Sequence, residues 1–223
     1  MNNATEDFIF KALTFYNHLN HDDQKFLLDN IVEIKYTQGQ NIYSAQNDCI
    51  GVLLIKSGGL RTYILSEDGR DVTLYRLAPG DICILSASCL IKSITFDVYI
   101  DAEADSEVLL INSFVYSDIQ SRNIYVENFS LKTAVEKFSA VIWSMEQMLF
   151  MRFDRRLATF LYDESVKTNS ANIHLTHEQI AKYMGSAREV VSRMIKYFEK
   201  EGIVKLYRGG VEITDKAKLK SLL

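Results

Sequence analysis

No histidine stands between His21 and His174, so residues 22–173 offer no imidazole to a metal ion or to a nucleophile. An enzyme on a cupin-like barrel needs a cluster of His and carboxylate ligands on its strands, and that inventory is missing. A Ser-His-Asp or Cys-His arrangement has no base to work with in the same stretch. Cysteine is scarce as well. Cys49, Cys83 and Cys89 are the three in 223 residues. An odd, low count excludes a disulfide scaffold and fits a reducing compartment. No apolar run reaches the roughly eighteen residues that a membrane span needs. The opening MNNATEDFIF lacks the basic start and apolar middle of a secretory signal. These absences lead us to expect a cytoplasmic protein that is not an enzyme, with no membrane partner and no identifiable cofactor.

The remaining composition is ordinary for a globular chain, 48% apolar and 24% charged. The charge is unevenly spread. Residues 151–223 carry a balance of +5, and residues 1–150 a balance of −9. A basic C-terminal third on an acidic body is the asymmetry expected where one domain meets phosphates and the other does not.

Taken in order, residues 6–30 read as two helices anchored by Phe8, Ala12, Phe15, Phe26 and Leu27, with Asn20 or Asp22 as a cap for the second. From Ile31 to Ile111 the pattern changes to short strands separated by turn residues. The spacing predicts strands at 33–36, 41–43, 51–56, 60–65, 71–77, 96–102 and 107–112, which means a sandwich or barrel. A short helix is expected at 113–122. A long helix without Gly or Pro follows at 126–152. Its stripe of Val126, Phe129, Val135, Phe138, Val141, Ile142, Met145, Met148 and Leu149 is too long for a small barrel to cover. Part of it packs on its own barrel, and the rest suits a paired helix in a dimer. A further helix at 155–162 and a polar loop at 165–172 precede the last module.

That module is LTHEQIAKYMGSAREVVSRMIKYFEK, residues 175–200. Thr176 and Gln179 have capping-box spacing, and Ile180, Ala181 and Met184 give a first helix a small apolar face. Gly185 supplies the turn. Ser186 and Glu189 have the spacing of a second capping box. Val191, Met194, Ile195 and Phe198 then recur at i, i+3, i+4 and i+7, so they face a core. Arg188, Glu189, Ser192, Arg193 and Lys196 share the opposite side. Such a front suits the DNA major groove: Arg grips guanine, Glu accepts from cytosine and Ser bonds either. Residues 206–214 read as strand, Gly209-Gly210 turn, strand, the wing of a winged helix. A winged helix that contacts protein instead of DNA is the alternative, and the basic front argues against it.

The stretch 175–204 with its hairpin, and Arg188-Glu189-x-x-Ser192-Arg193 in particular, resembles the DNA-binding domain of the CRP/FNR family of bacterial transcription regulators. The order barrel, long helix, winged helix resembles that family over essentially the whole chain. The resemblance implies an α+β architecture with an N-terminal double-stranded β-roll of the cyclic-nucleotide-binding type in residues 1–122, a dimerisation helix in 123–152 and a winged helix-turn-helix in 153–223. It implies a homodimer joined through Phe129, Val135, Phe138, Val141, Ile142, Met145 and Leu149. The partners it implies are an inverted repeat of double-stranded DNA with TGA-containing half-sites, and RNA polymerase. Arg188 and Arg193 would read guanine, Glu189 cytosine and Ser192 thymine or phosphate, with Ser186 and Lys196 on phosphates.

The family's effector pocket falls here on Gly80, Asp81, Cys83, Leu85, Ser86, Ala87, Ser88, Cys89, Phe96 and Asp97. Gly80-Asp81 resembles the Gly-Glu pair of the cyclic-AMP branch, but Phe96-Asp97 occupies the place of its phosphate-binding Arg-Ser pair. Asp97 repels a phosphate, so no response to cyclic AMP is expected. Three cysteines, none before Cys49, cannot supply the four-Cys cluster of the FNR branch. A small-molecule effector of unknown identity, or a thiol switch built from Cys83 and Cys89, remains.

Overall fold

The computed structural model describes residues 3–44, 50–67, 69, 71–86 and 97–223. The chain divides into two compact units, one built mainly from residues up to Val141 and one from Ile142 to Leu223.

The first unit opens with helices α1 (Asn3–Ala12) and α2 (His21–Asp29). Asn20, one of two possible caps in the sequence, is the one used: its side chain accepts from the Asp23 amide at 2.8 Å. Among the described residues eight strands follow: β1 (Ile31–Tyr36), β2 (Asn41–Tyr43), β3 (Val52–Ser57), β4 (Leu60–Leu65), β5 (Asp71–Leu77), β6 (Ile82–Cys83), β7 (Tyr99–Ala102) and β8 (Ser106–Ile111). They form two four-stranded sheets, in the orders β1-β8-β3-β6 and β2-β7-β4-β5. The spacing led to a sandwich or barrel, and the double-stranded roll is the form of it that the family resemblance implied.

Two cores hold the unit together, and they explain why β3 reads as the unbroken run Val-Leu-Leu-Ile. Val52 and Leu54 pack with α1, α2 and their neighbours in one cluster. Leu53 and Ile55 pack with Leu60, Tyr75, Leu77 and Ile100 in the other. Side chains of a strand alternate between faces, and here both faces are covered, so the apolar-polar alternation disappears. Gly51 leads into this strand with φ +118°, and a Cβ there would meet the Ile111 carbonyl oxygen at 2.3 Å. Asn112 caps helix α3 (Ser113–Arg122) by accepting from the Phe114 amide at 2.9 Å.

Helix α4 (Ile124–Phe150) is 27 residues long, and the helical rise makes that about 40 Å. Val126 is fully buried, and Phe129 packs edge-on against Phe15. Ala140 and Val141 pack against the core between the sheets.

The second unit continues with α5 (Phe153–Lys167), β9 (Asn172–Ile173), α6 (His177–Met184), α7 (Arg188–Lys200), β10 (Val204–Tyr207), β11 (Gly210–Ile213) and α8 (Lys216–Lys220). Helix α5 runs five residues past the expected 162. Ser165, expected to open a loop, is a buried helical residue beside the buried Glu164, and the helix ends near Asn169, whose φ is +48°. The rest of that loop contributes β9, which pairs with β11 and makes the wing three-stranded. One core joins Leu157 and Leu161 of α5 to Ile180 and Met184 of α6, to Val191, Ile195 and Phe198 of α7, and to Val211 and Ile213 of the wing. Among the described residues no helix is long and apolar enough to cross a membrane.

Candidate nucleic-acid interface

The helix-turn-helix is assembled from short-range rules. Thr176 caps α6: its hydroxyl accepts from the Gln179 amide, and the Gln179 side chain accepts from the Thr176 amide at 2.8 Å, a complete capping box. Gly185 closes α6 in the left-handed conformation at φ +58°, a geometry that costs a side-chain-bearing residue energy. The Arg156 guanidinium of α5 donates to the Met184 carbonyl at the end of the same helix. Burial pushes its pKa down from the ordinary guanidinium value, without bringing it near neutrality.

The second capping box does not form. Helix α7 starts at Arg188 with Ala187 in the N-cap position and no side-chain cap. Ser186 belongs to the turn instead, its amide bonded to the Ala181 carbonyl as α6 unwinds. Gly185 and Ser186 are both consumed by the end of α6, which pushes the cap of the next helix one residue along, from Ser186 to Ala187.

The two faces of α7 separate cleanly. Val191, Ile195 and Phe198 are wholly buried, and Met194 is half-buried beside them. Arg188, Glu189, Arg193 and Lys196 are exposed, while Ser186 and Ser192 are half-buried. The structure thus brings the four charged candidates onto one solvent-facing surface.

The wing pairs Tyr207 with Gly210, so the turn falls on Arg208-Gly209 and Gly210 is already strand. Gly210 has a packing reason to be glycine: a Cβ would strike the Tyr207 hydroxyl and the Ile173 carbonyl oxygen. That hydroxyl donates to Ile173 at 3.1 Å and lies 3.1 Å from His174 Nδ1. Between the start of α6, the start of α7 and the wing lies a groove of about 420 Å³. His177, the first residue of α6, lines it, and its pKa is lowered by burial and then by the charges of Arg188 and Lys196. From their place at the start of the first helix of this module, His174 and His177 were expected to meet solvent or phosphate, though neither was counted among the base-reading candidates, and His177 lies on this groove.

On the roll, the expected effector residues are only partly described; Ala87, Ser88, Cys89 and Phe96 lie outside the described residues. Gly80 makes a turn at φ +93°. Asp81 accepts from the Ala78 amide at 2.8 Å and lies 3.5 Å from the Lys137 ammonium of α4. The same ammonium sits 5.5 Å from the centre of the Tyr75 ring. Cys83 is 1% exposed in the core between the sheets, and burial pushes its thiol pKa up. Ser86 is completely buried, its hydroxyl 2.7 Å from the Gly51 carbonyl and 3.1 Å from that of Cys83. It is tied to the backbone, not presented at the open end of a helix. Leu85 is half-buried and Asp97 is exposed.

Of the expected pairing residues on α4, Val135, Phe138, Ile142, Met145 and Leu149 are exposed. Phe129 and Val141 are turned onto cores of their own unit. Leu131, absent from the expected set, is 58% exposed and completes the row. Leu131, Val135, Phe138, Ile142, Met145 and Leu149 follow one another in alternating steps of four and three, the spacing of a coiled-coil seam.

A roll, a long helix and a winged helix with a basic recognition face define the class: a sensor-type domain fused to a DNA-binding module. A model of the Crp-like helix-turn-helix domain matches residues 155–222. The chain is 42% identical to a protein from Eubacterium rectale ATCC 33656 whose crystal structure is described as that of a CRP/FNR-family regulator, with a TM-score of 0.90 over 93% of this chain and 96% of that one. It is 24% identical to the "Anaerobic regulatory protein" of Aggregatibacter actinomycetemcomitans, over 86% of this chain and 77% of the relative. It is 25% identical to the "Transcriptional regulatory protein btr" of Bordetella pertussis, over 88% and 84%. The chain belongs to the CRP/FNR family of bacterial transcription regulators. Its C-terminal module is a DNA-binding helix-turn-helix, and its work is the control of transcription.

Proposed function

We propose that this regulator acts as a homodimer without catalytic activity and reads an inverted repeat with TGA-containing half-sites. Residues 1–122 receive a signal, 123–152 join the protomers, and 153–223 read DNA. The carrying observation is the exposed front of α7, with Arg188, Glu189, Arg193 and Lys196 over a fully buried back. Arg188 and Arg193 grip guanine, Glu189 accepts from cytosine, Ser192 meets thymine or a phosphate, and Lys196 and Ser186 hold phosphates. With no competing cap role, Glu189 is free for base contact. A two-fold dimer sets its recognition helices about one DNA turn, roughly 34 Å, apart.

Pairing along α4 rests on its seam. Six apolar side chains between 45% and 68% exposed, in heptad spacing, are covered when a second copy lays the same row against them. RNA polymerase is the further partner that the family resemblance implies. For the signal we favour a small molecule at the roll over a thiol switch. A buried thiol with a raised pKa holds little thiolate, the form that oxidants attack.

Selection of bound sequences from random double-stranded DNA, with and without dithiothreitol, tests the reading. Enrichment of an inverted repeat with a TGA-containing half-site in both conditions is expected. Enrichment of unpaired half-sites alone would refute the dimeric reading. Enrichment only with the reductant would bring back the cysteines.

A further inference from the structure

We propose that Asn128 makes the pairing of α4 selective: it meets the partner's Asn128 across the seam, holds two parallel helices in register, and rejects a helix with an apolar residue at that place. The proposal rests on the dimeric reading above and adds to it the alignment of the two copies and their choice of each other.

The seam continues two positions toward the N-terminus of α4. Ile124, Leu131, Phe138 and Met145 recur every seven residues, and each is between 49% and 65% exposed. Four residues after each of them stands the other row of the seam: Asn128, Val135, Ile142 and Leu149, all exposed. The rows are apolar throughout except at Asn128. Ile124 lies beyond it, so the amide falls inside the seam and not past its end. The Asn128 side chain makes no hydrogen bond among the described residues. Val135 and Ile142 put β-branched side chains in the same row as Asn128, with Leu131 in the other, a choice that favours two parallel strands. The flanks carry a second signal. Glu127 and Lys132 are exposed, one on each side of the seam. Five residues apart, they hold the flanking positions that face each other between parallel helices, so Glu127 of each copy meets the partner's Lys132.

An amide buried against apolar side chains leaves its donor and acceptor unmet, which costs stability that a valine or leucine would not. One alignment removes most of that cost. With two copies parallel and in register, the two Asn128 side chains face each other across the two-fold axis, and an N–H of one donates to the carbonyl oxygen of the other. A slip of one heptad sets Asn128 against the partner's Val135 and leaves the amide unmet. An antiparallel pair carries it to the apolar far end of the seam and also separates Glu127 from Lys132. A helix of another chain with an apolar residue facing Asn128 incurs the same penalty. The seven apolar side chains of the seam thus supply the attraction, and Asn128 supplies the discrimination.

The test is subunit exchange between full-length wild type and Asn128→Val, distinguished by tags and counted by native mass spectrometry. Asn128 is exposed in the protomer, so the substitution spares the fold. Both homodimers should form. The mixed dimer, which buries one amide against a valine, should fall about tenfold below its statistical share. A statistical mixture of stable dimers would overturn the selective role of Asn128 and leave the dimeric reading intact. A wild type that stays monomeric would overturn the dimeric reading and this proposal with it. Ile124→Cys checks the alignment. Mild oxidation should join position 124 of one copy to position 124 of the other, as mapped on peptides. A dimer without that link would overturn the parallel register. At low salt Glu127→Lys should weaken the dimer about threefold, and adding Lys132→Glu should restore it. Failure of the second change to restore the dimer would overturn the flank pairing.

Discussion

Helices α4 and α7 use one geometric device for opposite ends. Each buries one stripe in its own unit and leaves the other in water. On α7 the free side is Arg188, Glu189, Arg193 and Lys196, which water solvates well, so the helix stands complete until a polyanion arrives. On α4 the free side is Leu131, Val135, Phe138, Ile142, Met145 and Leu149, which water does not solvate, so the helix is incomplete alone. A charged face that meets DNA recognises it through hydrogen-bond geometry and answers to salt. The apolar face is specific through packing and register. A regulator needs both, because one recognition helix reads too few base pairs, and permanent pairing doubles the reading.

The sharpest break in that contrast is a charge placed on the apolar face. Phe138→Asp sets two carboxylates against each other at the centre of the seam. Analytical ultracentrifugation should show monomer, and affinity for the inverted repeat should fall by about 10²-fold or more, the avidity that two linked half-sites supply. The converse change on the charged face is smaller and of another kind. Arg193→Ala should keep the dimer and cost about 1–3 kcal/mol on the cognate site, relaxing specificity at one base pair. An equal loss on random DNA would reduce Arg193 to a phosphate contact. A third change falls in the core: Phe198→Ala removes a ring buried at 0% exposure and should destabilise the second unit by about 3–5 kcal/mol in chemical denaturation. Repairing that loss would require the cavity to collapse, which the close packing of Val191, Ile195 and Val211 resists.

The same two regions divide what the sequence discloses. The reader is built from neighbours in the chain. Thr176 reaches Gln179, Gly185 ends the helix it follows, and Val204 pairs with Ile213, so spacing alone exposes the design. The roll is built from distant pairs. Strand β1 lies on β8, and Ile31 sits opposite Ile111, a partnership that no local pattern announces. Strand positions were therefore legible, but the contents of the site between them were not. Ser86 looked available and is locked to Gly51. The ammonium beside Asp81 comes from Lys137, on another element altogether. Phe129 and Leu131 show the same limit on a helix. Both are apolar and two residues apart, and only the presence of Phe15 beside one decides which is core.

The finest distinction concerns the two capping boxes, which look alike as spacing and differ in fact. Thr176→Ala deletes the hydroxyl that accepts from the Gln179 amide and keeps the reciprocal bond from its own backbone amide, so it should cost about 1 kcal/mol of stability. Ser186→Ala removes no cap, because Ala187 already occupies that position for α7. Its effect should stay within about 0.5 kcal/mol, the range of ordinary surface changes. Denaturant titration of both variants ranks them directly. If Ser186→Ala proved the costlier, Ser186 would be the cap in solution and α7 would begin one residue earlier. That added residue extends the first turn and leaves Arg188 and Arg193 on the surface they share, because residues already in a helix keep their facing. The small stability difference thus fixes where the recognition helix begins, independently of the face it turns to DNA.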